Sequence, residues 1–156
     1  MTPLVERLAD LREQMEHLRE IRPGIDGPED LERDVGLRND VLHALLTISQ
    51  AVIDVAAELA SRRGYRYADY TEAVRCLRRM DEFPDHLVER LEPLPGFRNV
   101  LVHEYVALEY RQVLDAIDDL GPVADFVTIA AGLETESGPG GDDGTGEPDD
   151  VDRRTD

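Results

Sequence analysis

The chain has 156 residues, enough for one domain with a real core, and sets 17 basic residues against 35 acidic ones for a formal net charge of −18. Aromatic residues make up 5% and tryptophan is absent, so aliphatic side chains must fill the interior. The alternation of β-branched and aromatic residues that marks strands is nearly missing. The single cysteine, Cys76, excludes an internal disulfide and has no metal-ligand spacing around it. It reads as a small residue on an apolar helix face, in keeping with a reducing cytoplasm.

Every basic residue is arginine. Nine acids and two arginines in residues 134–156 account for −7 of the charge and leave −11 on the body. That balance lacks the basic footprint of a general nucleic-acid binder. Two explanations stand: a halophile cytoplasm with molar salt, where the Debye length is only about 3 Å, or mimicry of a nucleic acid. The acids are scattered rather than patterned, which favours the first. The N-terminal segment is charged and periodic, without the apolar stretch of a signal peptide. The longest run without a charge, Val41 to Ile53, is 13 residues, short of the roughly 20 that a spanning helix needs. A cytoplasmic protein with no membrane partner is expected.

The pattern then predicts helices in order. The first runs from about Pro3 to Ile21, with Leu4, Leu8, Leu11, Met15 and Leu18 spaced by fours and threes along one face. Pro23-Gly24 and Gly27-Pro28 break the chain. A second, long helix is predicted from Asp30 to Gly64, with Gly36 as a kink. Its seam is Val41, Leu45, Ile48, Val52, Val55 and Leu59, widened by Leu42, Leu46, Ile53, Ala56 and Ala60, which makes it the most buried element. A polar line of Thr47, Gln50, Asp54 and Glu58 runs beside that seam. A third helix is capped near Asp69 or Thr71 and continues to about Met80, and Phe83-Pro84 ends it. Asp85 to Leu91 reads as a short helix. Pro93 and Pro95 punctuate the next few residues. Further helices are predicted from Gly96 to Leu108 and from Glu109 to Leu120, and Gly121-Pro122 interrupts before a last run to Leu133. From Glu134 onward the chain turns to Gly, Asp, Pro, Ser and Thr, which cannot bury enough surface to order itself. The expected organisation is a helical domain over 1–133 and a disordered acidic tail over 134–156.

Chemistry concentrates in Gly96-Phe97-Arg98-Asn99-Val100-Leu101-Val102-His103-Glu104-Tyr105. To cleave RNA without a metal, a 2′-hydroxyl must lose a proton as it attacks the adjacent phosphate, and the leaving 5′-oxygen must gain one. Histidine titrates near neutrality and serves either step. A fixed guanidinium matches the charge building on phosphate oxygens. Asn99 lies one turn before His103 on the same face and adds a hydrogen-bond donor. Five helical positions rotate by about 140° and rise about 7.5 Å, so Arg98 and His103 are not stacked neighbours, and Tyr105 lies about 200° round from His103. Either the long Arg98 side chain reaches round or a second copy of the helix supplies the missing group across a two-fold axis.

The run Gly-Phe-Arg-Asn-x-Leu-Val-His-x-Tyr resembles the signature of the HepT family of HEPN toxins, and the order of elements from Leu4 to Gly132 fits it. The resemblance implies an all-α, HEPN-type up-down bundle of four to five helices that forms a homodimer. It also implies a metal-independent endoribonuclease of a type VII toxin–antitoxin system, with no cofactor and with tRNA or mRNA as substrate. Arg98 and His103 would be catalytic with Asn99 beside them. Tyr105 would be the site at which an MntA-like minimal nucleotidyltransferase antitoxin attaches AMP. Pro93 and Pro95 make the entry to the motif helix stiffer than the family pattern suggests, and the acidity of the body is unusual for an RNase. Asp54 and Glu58 are candidates to position His103 or Arg98. Arg62, Arg63, Arg66, Arg75, Arg78 and Arg79 fall within 18 residues holding only Asp69 and Glu72 as acids. That basic island would meet RNA or the antitoxin, unless acidic neighbours pair with it. His17, His43 and His86 read as structural. Two alternatives remain at this point: a non-catalytic HEPN subunit that binds substrate or nucleotide for a partner nucleotidyltransferase, and a plain dimeric adaptor. Neither has a chemical use for both Arg98 and His103.

Overall fold

The regular spacing of the first apolar seam is realised in full: Leu4, Leu8, Leu11, Met15 and Leu18 are all buried along α1 (Leu4–Ile21). In the computed structural model, which describes residues 4–103 and 108–136, eight α-helices follow one another and no strand occurs among the described residues. The long α3 (Val35–Arg62) lies at the centre, with eleven buried residues from Val41 to Ala60. Arg7 reaches Asp54 and His17 reaches Asp40, so α1 runs antiparallel to α3. By length and composition α3 is apolar enough to cross a membrane, but 56% of its most apolar window is buried inside the bundle, as expected of a core helix.

The long helix predicted from Asp30 to Gly64 is two helices, α2 (Pro28–Arg33) and α3, divided at Asp34. Asp34 leaves the helical region (φ −106°, ψ 98°), and its carboxylate accepts the Leu37 N–H at 3.0 Å. A short acidic side chain that can satisfy the first free amides of a new helix competes with continuation of the old one. Gly36 is therefore in the first turn of α3 rather than at a kink. The other end of α3 closes where expected. Tyr65 N–H bonds the Ala60 carbonyl and Gly64 N–H bonds that of Ser61, with Gly64 at φ +75°. This left-handed cap is strained for any residue with a Cβ.

α4 (Tyr70–Arg75) is capped by Asp69, which accepts from Glu72 N–H, and tightens into a 3₁₀ turn over Cys76–Arg79. α5 (Asp85–Leu91) stands as predicted. α6 (Leu94–His103) starts two residues before the predicted Gly96. Pro95 falls in its first turn, where a missing N–H costs nothing, so Pro95 opens the motif helix, while Pro93 precedes it. Leu108 and Glu109 are not helical, and α7 spans Tyr110–Asp118. Gly121 and Pro122 form the first turn of α8 (Gly121–Glu136), which continues three residues past the expected end.

Phe126 of α8 is fully buried and stacks on Phe83 with ring centroids 5.7 Å apart. Burying a side chain such as Leu11, Leu31 or Phe126 contributes about 1.5–3 kcal/mol, and these lie in one continuous apolar cluster. The expected tail over 134–156 lies outside the described residues beyond Glu136.

Candidate active site

α6 buries only Pro95 and Leu101. One side of this lightly anchored helix faces a groove of about 510 Å³ between α1, α3 and α6. Arg98 and Val102, four residues apart and so on one face, both line it. Arg98 extends along α3 and donates from Nε to Gln50 Oε1 at 2.8 Å. Gln50 Nε2 in turn donates to Asp54 Oδ1 at 2.8 Å, and Asp54 Oδ2 pairs with Arg7 Nη1 at 3.3 Å. A relay thus crosses three helices: Arg98, Gln50, Asp54, Arg7. Arg98 also donates from Nη1 to Asn99 Oδ1 at 3.1 Å, and its guanidinium carbon sits 5.8 Å from the centre of the Tyr70 ring.

His103 is exposed at the last described position of α6. Together with Asn99 it occupies the helix face next to that of Arg98, as the helical spacing requires. No hydrogen bond joins Arg98 to His103 among the described residues, and Asn99 is the group that touches Arg98 from the histidine's face. The long arginine does not reach round; it turns into the α3 groove. Tyr105 and Glu104 lie outside the described residues. No group of three His, Cys, Asp or Glu among the described residues could hold a metal ion.

The two candidate supporting acids separate. Asp54 belongs to the relay, whereas Glu58 pairs with Arg62 one turn along α3. Gln50 and Arg7 were not singled out from sequence. Gln50 was visible on the polar line of Thr47, Asp54 and Glu58. Nothing in the sequence announces Arg7, because only the packing of α1 on α3 brings it to Asp54. Tyr70, beside the capping Asp69, was likewise missed; it is 44% exposed.

The basic island is largely paired by acids from outside its own stretch. Arg62 bonds Glu58 and Glu134, Arg63 bonds Glu82 at 2.6 Å, and Arg75 and Arg78 share Glu92 at 3.8 and 2.9 Å. Arg79 lies over the Tyr65 ring at 5.2 Å, and Arg66 is exposed. The hydrogen bonds that Arg63 donates hold the Glu82 carboxyl below the usual glutamate range, and donating to Glu82 and Glu92 raises Arg63 and Arg78 above the ordinary arginine value. Cys76 is buried, and that burial pushes its thiol up, which makes it a poor nucleophile. His17 bonds Asp40 at 2.8 Å, and His43 and His86 are exposed.

Residues 11–128 match the model of the family described as Ribonuclease HepT-like. A protein of Archaeoglobus fulgidus proposed to be an RNase is 30% identical over 80 residues, which span 51% of this chain and 61% of that relative. Among solved structures, a toxin–antitoxin complex with AMP-PNP superposes with a TM-score of 0.71 at 16% identity, over 83% of this chain and 99% of the other. The tri-AMPylated Shewanella oneidensis HEPN toxin in complex with MNT antitoxin gives 0.69 at 17% identity, over 86% and 99%. YutE of Bacillus subtilis, a cytosolic protein of unknown function, gives 0.70 at 17% identity, over 87% and 92%. At these identities the structural likeness establishes a shared fold, the HEPN-type helical bundle.

Proposed function

The chain belongs to the HepT-like ribonuclease family, and on that premise we propose that it is a metal-independent endoribonuclease, the toxin of a type VII toxin–antitoxin pair acting on tRNA or mRNA in the cytoplasm. The observation that carries this reading is the state of Arg98: fixed in an open groove, on the same helix as an exposed His103, by groups that leave its charge unpaired. In the proposed reaction His103 takes the proton of the 2′-hydroxyl as its oxygen attacks the adjacent phosphorus. The bond to the 5′-oxygen breaks, that oxygen gains a proton, and the products are a 2′,3′-cyclic phosphate and a 5′-hydroxyl end. Arg98 offsets the charge that accumulates on the phosphate oxygens, and Asn99 contributes a further donor.

Arg98 and His103 occupy different faces of α6, which supports a site completed by the α6 of a second subunit. The structural neighbour bound to MNT antitoxin supports a minimal nucleotidyltransferase partner for this chain, and the place of Tyr105 in the motif makes it our proposed acceptor of AMP. The test is expression in cells lacking the partner. Wild type should arrest growth and His103→Ala should not; equal harmlessness of the two would sink the RNase reading. Binding of RNA without cleavage would favour a non-catalytic subunit instead.

A further inference from the structure

Among the described residues, each partner of the Arg98 guanidinium is electrically neutral: the Gln50 amide oxygen, the Asn99 amide oxygen and the Tyr70 ring. This occurs in a chain with 35 acids, in which Arg7, Arg22, Arg62, Arg63, Arg78 and Arg90 all bond carboxylates. A carboxylate at position 50 could accept the same Nε–H, but it would cancel the charge it held. An amide accepts without cancelling.

The sense of that amide is also fixed. The guanidinium can only donate and the Asp54 carboxylate can only accept, so Gln50 must turn Oε1 to Arg98 and Nε2 to Asp54. Asp54 is itself held and neutralised by Arg7, so the relay adds no net charge beside Arg98. Asp10 lines the same groove without an ion pair to Arg98 among the described residues.

We infer that Gln50 is a positioning residue: it orients the Arg98 guanidinium through a neutral acceptor and leaves the charge free for an RNA phosphate, with Asp54 and Arg7 setting the sense of its amide. The inference rests on the RNase reading only for the identity of the anion.

The test uses the full chain as wild type, Gln50→Glu and Gln50→Met. Binding is measured across NaCl concentrations with a single-stranded oligoribonucleotide whose 2′-hydroxyls are all methylated and so cannot attack. Cleavage is measured on the same sequence unmethylated. Exchange of the Arg98 Nε–H with solvent is followed by NMR and assigned by its loss in Arg98→Lys. In Gln50→Glu the slope of log affinity on log salt should shrink by about 0.7, the value of one lost phosphate contact on a single strand. KM should rise about tenfold, the worth of one charge-assisted contact, while the Nε–H stays protected. In Gln50→Met the salt slope should hold, kcat should fall about 100-fold through misplacement, and the Nε–H should exchange faster. A residue with only a packing role would shift melting temperature without producing this split.

Wild-type slope and cleavage in Gln50→Glu, or wild-type Nε–H protection in Gln50→Met, would overturn the inference. If wild type neither binds nor cuts RNA while Gln50→Met exposes the Nε–H, the RNase reading fails and the positioning role stands.

Discussion

Two sets of arginines divide this molecule. Those of the cluster between Arg62 and Arg79 look available in sequence, yet four of the six are bonded to carboxylates. Arg98 stands alone in its stretch and is met only by neutral groups among the described residues. Exposed ion pairs contribute little to stability, about 0.2–1 kcal/mol each, but they consume charge. Local density of basic residues is therefore a poor guide to which arginine lacks a carboxylate partner, because that partner comes from elsewhere in the chain.

The largest expected effect tests this contrast directly. Arg98→Ala should lower kcat for RNA cleavage by about 10²-fold or more, and Arg98→Lys should not restore it, because an ammonium lacks the planar fork. Arg63→Ala or Arg78→Ala should change the rate by about twofold at most, in line with surface ion pairs. A cluster substitution as damaging as Arg98→Ala in the same assay would break the comparison.

Freeing the cluster should sharpen it. Glu92→Gln removes the shared partner of Arg75 and Arg78 and should steepen the salt dependence of RNA binding by about 0.7 for each arginine that then meets a phosphate. Urea unfolding should show a loss of about 0.2–1 kcal/mol per pair. An unchanged salt slope would mean that RNA does not reach this surface at all.

A smaller effect is expected at Tyr70. Tyr70→Ala should reduce kcat/KM by about two- to fivefold, the worth of an exposed cation–π contact of about 0.5–1 kcal/mol. Tyr70→Phe, which keeps the ring, should match wild type in the same kinetic assay.

The smallest concerns pH. Glu82 is depressed by the Arg63 hydrogen bond, so its contribution is present above the unfolded glutamate value and fades as pH falls through the lower folded one. The carboxyl titration followed by NMR should move back up to the ordinary range in Arg63→Ala. The stability difference between the two proteins should vanish in acid.

Much of the fold is legible in the sequence. Steps of three and four in the apolar residues locate α1 and α3, because a helix buries one face and must repeat that spacing. Gly64, Asp69 and the prolines mark ends through backbone chemistry that any fold must obey. The differences are local competitions: Asp34 caps a new helix where the pattern continues an old one, and Pro95 opens α6 where its spacing suggests a break before it. Arg98, Asn99 and His103 are legible as a motif, and helical arithmetic already separates Arg98 from His103.

What the sequence by itself determined is which side chains share a helix face, since that follows from about 3.6 residues per turn. What only the tertiary structure decided is which faces meet. Gln50 lies 48 residues from Arg98, and Glu134 lies 72 residues from Arg62. Electrostatic partnership acts through space over a few ångströms. Packing of α3 on α6 therefore gave Arg98 an amide partner rather than a carboxylate, and packing of other helices paired most of the island that is the more basic in sequence with carboxylates.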